Sequence, residues 1–124
     1  MYELTVESAF EAAHFLRNYP GKCARLHGHS WIIEAVAQGR ELNELEILID
    51  FKDLKGELDK ILDEFDHRYL NEIPPFTDKS PTAENLAKII FDRLAASEIF
   101  SGTTKLKAIN VYESPKSRVT YYPD

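Results

Sequence analysis

A single cysteine, Cys23, in 124 residues leaves this chain without an intramolecular disulfide. Its fold must therefore rest on a packed core, and the thiol needs another explanation: packing, metal ligation or reactivity. No apolar run approaches the roughly 18 residues that cross a bilayer. Glu3, Glu7 and Glu11 also stand where a secretory signal would be basic and then apolar. The expected location is the cytoplasm, with no membrane partner. Basic residues are in deficit, 15 against 21 acidic ones, and the net charge of −6 is a poor match to a phosphate backbone, so no nucleic-acid partner is expected. What is present, 44% apolar and 11% aromatic residues, suffices to bury one core and is too little for two. Residues 1–124 are read as one domain.

Residues 2–14 alternate, with Tyr2, Leu4, Val6, Phe10 and Ala12 on one side and Glu3, Thr5, Glu7 and Glu11 on the other, the period of a half-buried strand. His14 shares the apolar parity. Residues 17–25, with Asn18, Pro20 and Gly21, read as a loop, and residues 28–38, with Trp31, Ile32, Ile33 and Val36, as a second strand pairing with the first. Asp50 can cap a helix whose apolar positions Phe51, Leu54, Leu58, Ile61, Leu62 and Phe65 fall three and four apart. After a connector over 71–79, Ser80 and Pro81 announce a second helix with Ala83, Ala87, Ile90, Phe91 and Leu94 in its stripe. Strand signals return over 106–113 and 118–122, with Ser114 to Ser117 as the turn between them. The order β-β-α-α-β-β predicts an α+β fold: an antiparallel four-stranded sheet with both helices on one face.

The segment Cys23-Ala24-Arg25-Leu26-His27-Gly28-His29 carries the strongest chemical signal. Histidines at i and i+2 on extended backbone point the same way and can converge on one ion, with Gly28 leaving room between them. His14, inward-facing at the end of the first strand, is the natural third ligand. Three neutral imidazoles would leave the ion its full charge and an open position for a substrate oxygen. Cys23 either closes such a site as a fourth ligand or stands beside it as a reactive thiolate, favoured by the dication and by Lys22 and Arg25; a buried inert thiol is the remaining reading. Asp66-His67 pairs a carboxylate with an imidazole, which fixes a tautomer and raises basicity, or is a plain charge pair at a helix end. Glu113 shares a strand face with Ile109 and Val111, where a carboxylate is costly without donors. The paired N–H groups of a pterin or guanine edge would supply them, unless the strand has already reached solvent.

Taken in order, Phe10-Glu11-Ala12-Ala13-His14, Cys23-x-x-x-His27-Gly28-His29, Ile49-Asp50-Phe51-x-Asp53-Leu54-Lys55, Asp66-His67-x-x-Leu70-Asn71, Pro81-Thr82-Ala83-Glu84-Asn85 and Val111-Tyr112-Glu113 resemble the 6-pyruvoyltetrahydropterin and 6-carboxytetrahydropterin synthase family over nearly the whole chain. The resemblance implies the tunnelling fold, a homohexamer with sites at subunit interfaces, zinc on His14, His27 and His29, and Cys23 as proton acceptor. It further implies Asp66 and His67 as a proton-relaying pair, Glu113 as the anchor of the pterin ring, and Thr82 near the pterin pocket. The compact chain and the cysteine-to-histidine spacing look most like the bacterial carboxy-forming branch of queuosine and deazapurine synthesis. That branch converts 7,8-dihydroneopterin triphosphate to 6-carboxy-5,6,7,8-tetrahydropterin, releasing acetaldehyde and triphosphate. Phe65, where many relatives have leucine, and Ser114-Pro115 after Glu113 depart from the pattern as packing and turn variation.

Three other readings make different demands. A pyruvoyl-forming synthase starts from the same substrate and releases no acetaldehyde. A non-catalytic zinc or pterin-binding protein would use Cys23 to close the metal shell. A cysteine hydrolase built on Cys23, His67 and Asp66 fits the residue types but leaves the histidine pair and Glu113 without a role.

Overall fold

The computed structural model describes residues 1–18, 20–21 and 25–124; Cys23 and Lys22, singled out above, lie outside them. Alternation along the first segment produces β1 (Tyr2–His14), and β2 (His27–Gly39) pairs with it antiparallel over its full length, so that Ala12 faces His29 and His14 faces His27. β3 (Arg68–Tyr69) adds parallel to β1 at Ala12 and Ala13. On the other side β4 (Lys105–Ser114) pairs with β2, and β5 (Ser117–Tyr121) with β4. The sheet is therefore mixed and five-stranded, in the order β3-β1-β2-β4-β5, which corrects the expected four antiparallel strands. Two residues are too few to show a period, and parallel pairing is long-range, so β3 left no local trace.

Both helices cover the sheet face that carries Val6, Phe10, Trp31, Ile33, Ile109 and Val111, all buried in one cluster with Leu54, Leu58, Leu86, Ile90 and Leu94. α1 (Phe51–Leu62) starts where the Asp50 carboxylate accepts from the Lys52 N–H at 2.8 Å. It ends three residues short of the predicted stripe. Phe65 is nonetheless wholly buried, reached through a turn, whereas Phe51 at the other end is 64% exposed.

α2 (Ala83–Ala95) is capped by Thr82, whose hydroxyl accepts from the Asn85 N–H at 3.1 Å. The expected start at Ser80 is thus two residues early, because Pro81 precedes the cap rather than opening the helix and keeps its carbonyl free for another use. Thr82→Ala should lower stability by about 1 kcal/mol through the lost cap; an unmoved urea midpoint would contradict that role.

Trp31 joins core to site. Its ring stacks on Phe10 at 6.1 Å between centroids and 11° between planes, while its edges meet His14 at 5.0 Å and His29 at 5.1 Å. The histidines consequently rest on packed aromatic structure rather than on a loop.

Candidate metal centre

His14 ends β1, and His27 and His29 open β2, so register alone brings three imidazoles to one end of the helix-covered face. Their ring centroids lie 4.5, 5.0 and 4.6 Å apart. His14 is completely buried, and its Nδ1–H donates to the Pro81 carbonyl at 2.7 Å; His27 Nδ1–H donates to the Arg25 carbonyl, also at 2.7 Å. Because a carbonyl only accepts, both rings must carry their proton on Nδ1, and in neutral form each presents a bare Nε2. Those two nitrogens face each other at 2.9 Å, an opposition of lone pairs that a cation between them relieves.

His29 Nε2 is buried without a hydrogen-bond partner; Glu113 Oε1, at 3.3 Å, is not aligned to accept from it. One ligand atom from each of His14, His27, His29 and Glu113 falls within 4.8 Å of the others, a group that could hold a metal ion. The donor set fits a divalent ion: bare imidazole nitrogens with their second nitrogens anchored to carbonyls are the usual outer support of a metal-binding histidine. Gly28 is not required by crowding, since a Cβ there would meet nothing within 4 Å. That corrects the steric reason given for it above.

Burial pushes His14 below the ordinary histidine range, against the pull of the Pro81 carbonyl and with help from the neighbouring histidines. Burial lowers His29 too, opposed by Glu113. Both are thereby kept neutral and ready for metal. The unfolded chain takes up these protons first as pH falls through the ordinary value near 6.5. Stability of the metal-free protein should be full above that value and decline below it, towards the depressed native values. Melting curves in chelator at about pH 7.5 and 5.5 check the sign; equal melting temperatures would contradict it.

Asp66 and His67 lie in the turn that follows α1, where the Asp66 N–H donates to the carbonyl of Leu62, the last helical residue, at 3.0 Å. His67 Nδ1 sits 3.0 Å from Asp66 Oδ1, and the same oxygen accepts the Glu11 N–H at 2.9 Å, while the His67 N–H donates to the Glu11 carbonyl at 2.6 Å. The Glu11 N–H, then His67, hold the Asp66 carboxyl below the usual range. His67 takes φ 58°, a left-handed turn uncommon for a residue with a side chain and held here by the β1 edge. A cavity of about 470 Å³ is lined by His29 and His67 together with Glu11, Ser30, Arg68 and Tyr69. A second, of about 270 Å³, is lined by His29, Glu113, Glu84, Ser117 and Arg118. His29 borders both.

Thr82 spends its hydroxyl on the α2 cap, while its successors Ala83 and Glu84 line the second cavity. Sequence reasoning did not single out Glu84, Glu11 or the Pro81 carbonyl. Glu11 was visible within a motif but had solvent-side parity, and a backbone acceptor leaves no mark on side-chain spacing. The part assigned to Cys23 falls outside the described residues.

The 6-pyruvoyl tetrahydropterin synthase family model matches residues 3–124. The chain is 35% identical to the 6-carboxy-5,6,7,8-tetrahydropterin synthase of Synechocystis over 98% of its length and 94% of that protein. It is 30% identical to the enzyme of the same name from Haemophilus influenzae, covering 98% and 99% of the two chains. Its structure superposes on the 6-pyruvoyl tetrahydropterin synthase of Caenorhabditis elegans with TM-score 0.83 at 28% identity, covering 100% and 98% of the two chains.

Proposed function

The chain belongs to the 6-pyruvoyl tetrahydropterin synthase family and is a pterin lyase of the 6-carboxytetrahydropterin synthase type, and we propose that it converts 7,8-dihydroneopterin triphosphate to 6-carboxy-5,6,7,8-tetrahydropterin, with release of acetaldehyde and triphosphate, in queuosine and 7-deazapurine synthesis. The observation that supports a metal-dependent reaction is the trio of histidines beside Glu113, two of them anchored to carbonyls and the third, His29, lining a cavity that His67 also lines. His14, His27 and His29 would hold zinc, which suits three neutral imidazoles with an open position. Zinc bound there would supply Lewis-acid polarisation of the substrate's side-chain oxygens.

The remaining steps are assigned to the chain's own groups. Glu113 accepts the paired N–H donors of the pterin ring and so sets which carbon faces the site. Cys23, as thiolate, removes a proton from the side-chain carbon. Asp66 fixes the proton of His67 on Nδ1, the two atoms lying 3.0 Å apart, leaving Nε2 to exchange protons with the substrate. Thr82 serves the pterin pocket by holding the start of α2, where Glu84 follows.

A hexamer with sites shared between subunits belongs to the same proposal. In its support, β1 pairs with β3 only at Ala12 and Ala13, and β5 has no outer partner among the described residues, so both sheet edges are open to a neighbouring copy.

Product identification tests the reaction. 6-Carboxytetrahydropterin together with acetaldehyde is the expected result. Triphosphate without acetaldehyde would assign the chain to pyruvoyl formation instead, and binding without turnover would leave a pterin-binding protein.

A further inference from the structure

The sheet face opposite the helices carries a polar chain that the proposed chemistry does not use. Ile33, Ala35, Ile109 and Val111 point into the core, so their alternates Glu34, Asn110 and Tyr112 lie on the other side. There Glu34 Oε1 accepts from Asn110 Nδ2 at 2.9 Å and from the Tyr112 hydroxyl at 3.0 Å. Arg118 Nη1 donates to that hydroxyl at 3.2 Å, with its guanidinium 6.0 Å from the Tyr112 ring centre. The Tyr112 oxygen therefore donates to β2 and accepts from β5 at once. It is held by a half-buried carboxylate on one side and a cation on the other.

The place of this residue in the ladder gives the contact its meaning. Tyr112 opposite Arg118 is the last regular β4–β5 pair; the next pairs Ser114 with Ser117, leaving Glu113 as one extra residue. Such a bulge re-aims a side chain, and a slip of one residue would turn that side chain to the other face. Something must fix where the bulge begins.

We propose that Tyr112, tied to Glu34 and Arg118, is a positioning residue that fixes this bulge and so aims the Glu113 carboxylate at the histidines and the pterin ring. It rests on the reading of Glu113 as ring anchor and acts only through that residue.

The test uses zinc-loaded full-length protein and the fluorescence quenching of an unreactive oxidised pterin. Tyr112→Phe and Glu34→Ala should weaken binding about 5- to 20-fold, the range of one lost hydrogen bond in a charged network. Glu34→Gln, which keeps the acceptor oxygen, should bind nearly as wild type, and zinc content should be the same in all. Tyr112→Phe added to Glu113→Ala should cost nothing beyond Glu113→Ala alone. Wild-type affinity in Tyr112→Phe, or an additive double mutant, would overturn the positioning role while leaving the anchor intact. Wild-type affinity in Glu113→Ala would remove the anchor reading itself, and the positioning role with it.

Discussion

Replacing His14 with alanine is expected to weaken zinc binding by at least about 100-fold and to abolish measurable turnover at ordinary metal concentrations, since even groups that merely orient a ligand contribute about 10- to 100-fold. The residue does two jobs. Its Nε2 faces that of His27 at 2.9 Å, and its Nδ1–H satisfies the Pro81 carbonyl at the start of α2. Removing the ring leaves that carbonyl unpaired and opens a void in a wholly buried position, so about 1–3 kcal/mol of stability should go with it. Metal analysis and a urea titration on the same sample measure both losses. A variant that kept its zinc and its activity would show that the histidine trio is packing alone.

Cys23→Ala is expected to behave in the opposite way. It should bind zinc as wild type while the rate falls about 100- to 10,000-fold, the range over which a positioned proton acceptor contributes. Parallel metal and turnover assays separate the readings of this thiol. Zinc lost together with activity would make Cys23 a fourth ligand of a closed centre. Activity retained with zinc would remove it from the chemistry.

What the sequence disclosed follows from locality. Period-two alternation gave β1 with His14 inward, the His27-Gly28-His29 spacing gave two convergent imidazoles, and the three-and-four stripe gave the buried face of α2. Register then joined them, and register is itself set by which faces must be buried. The features that escaped depend on backbone groups or distant pairing: the two residues of β3, the docking of Asp66 and His67 onto Glu11, and the Pro81 carbonyl behind His14. The cap of α2 moved from Ser80 to Thr82 for a related reason. Several polar residues there can cap, and only the folded chain shows which hydroxyl meets the Asn85 N–H. Parity placed Glu113 on the face of Ile109 and Val111, but its standing as one extra residue opposite β5 is a property of the β4–β5 pairing.

X-ray absorption at the zinc edge on the zinc-loaded wild-type protein decides whether three histidines make an open zinc site. A first shell of nitrogen and oxygen alone, at about 2.0–2.1 Å with one zinc per chain, is the predicted result. A zinc–sulfur distance of about 2.3 Å would mean that Cys23 closes the site, and a protein that takes up no zinc would leave the three histidines without a metal role.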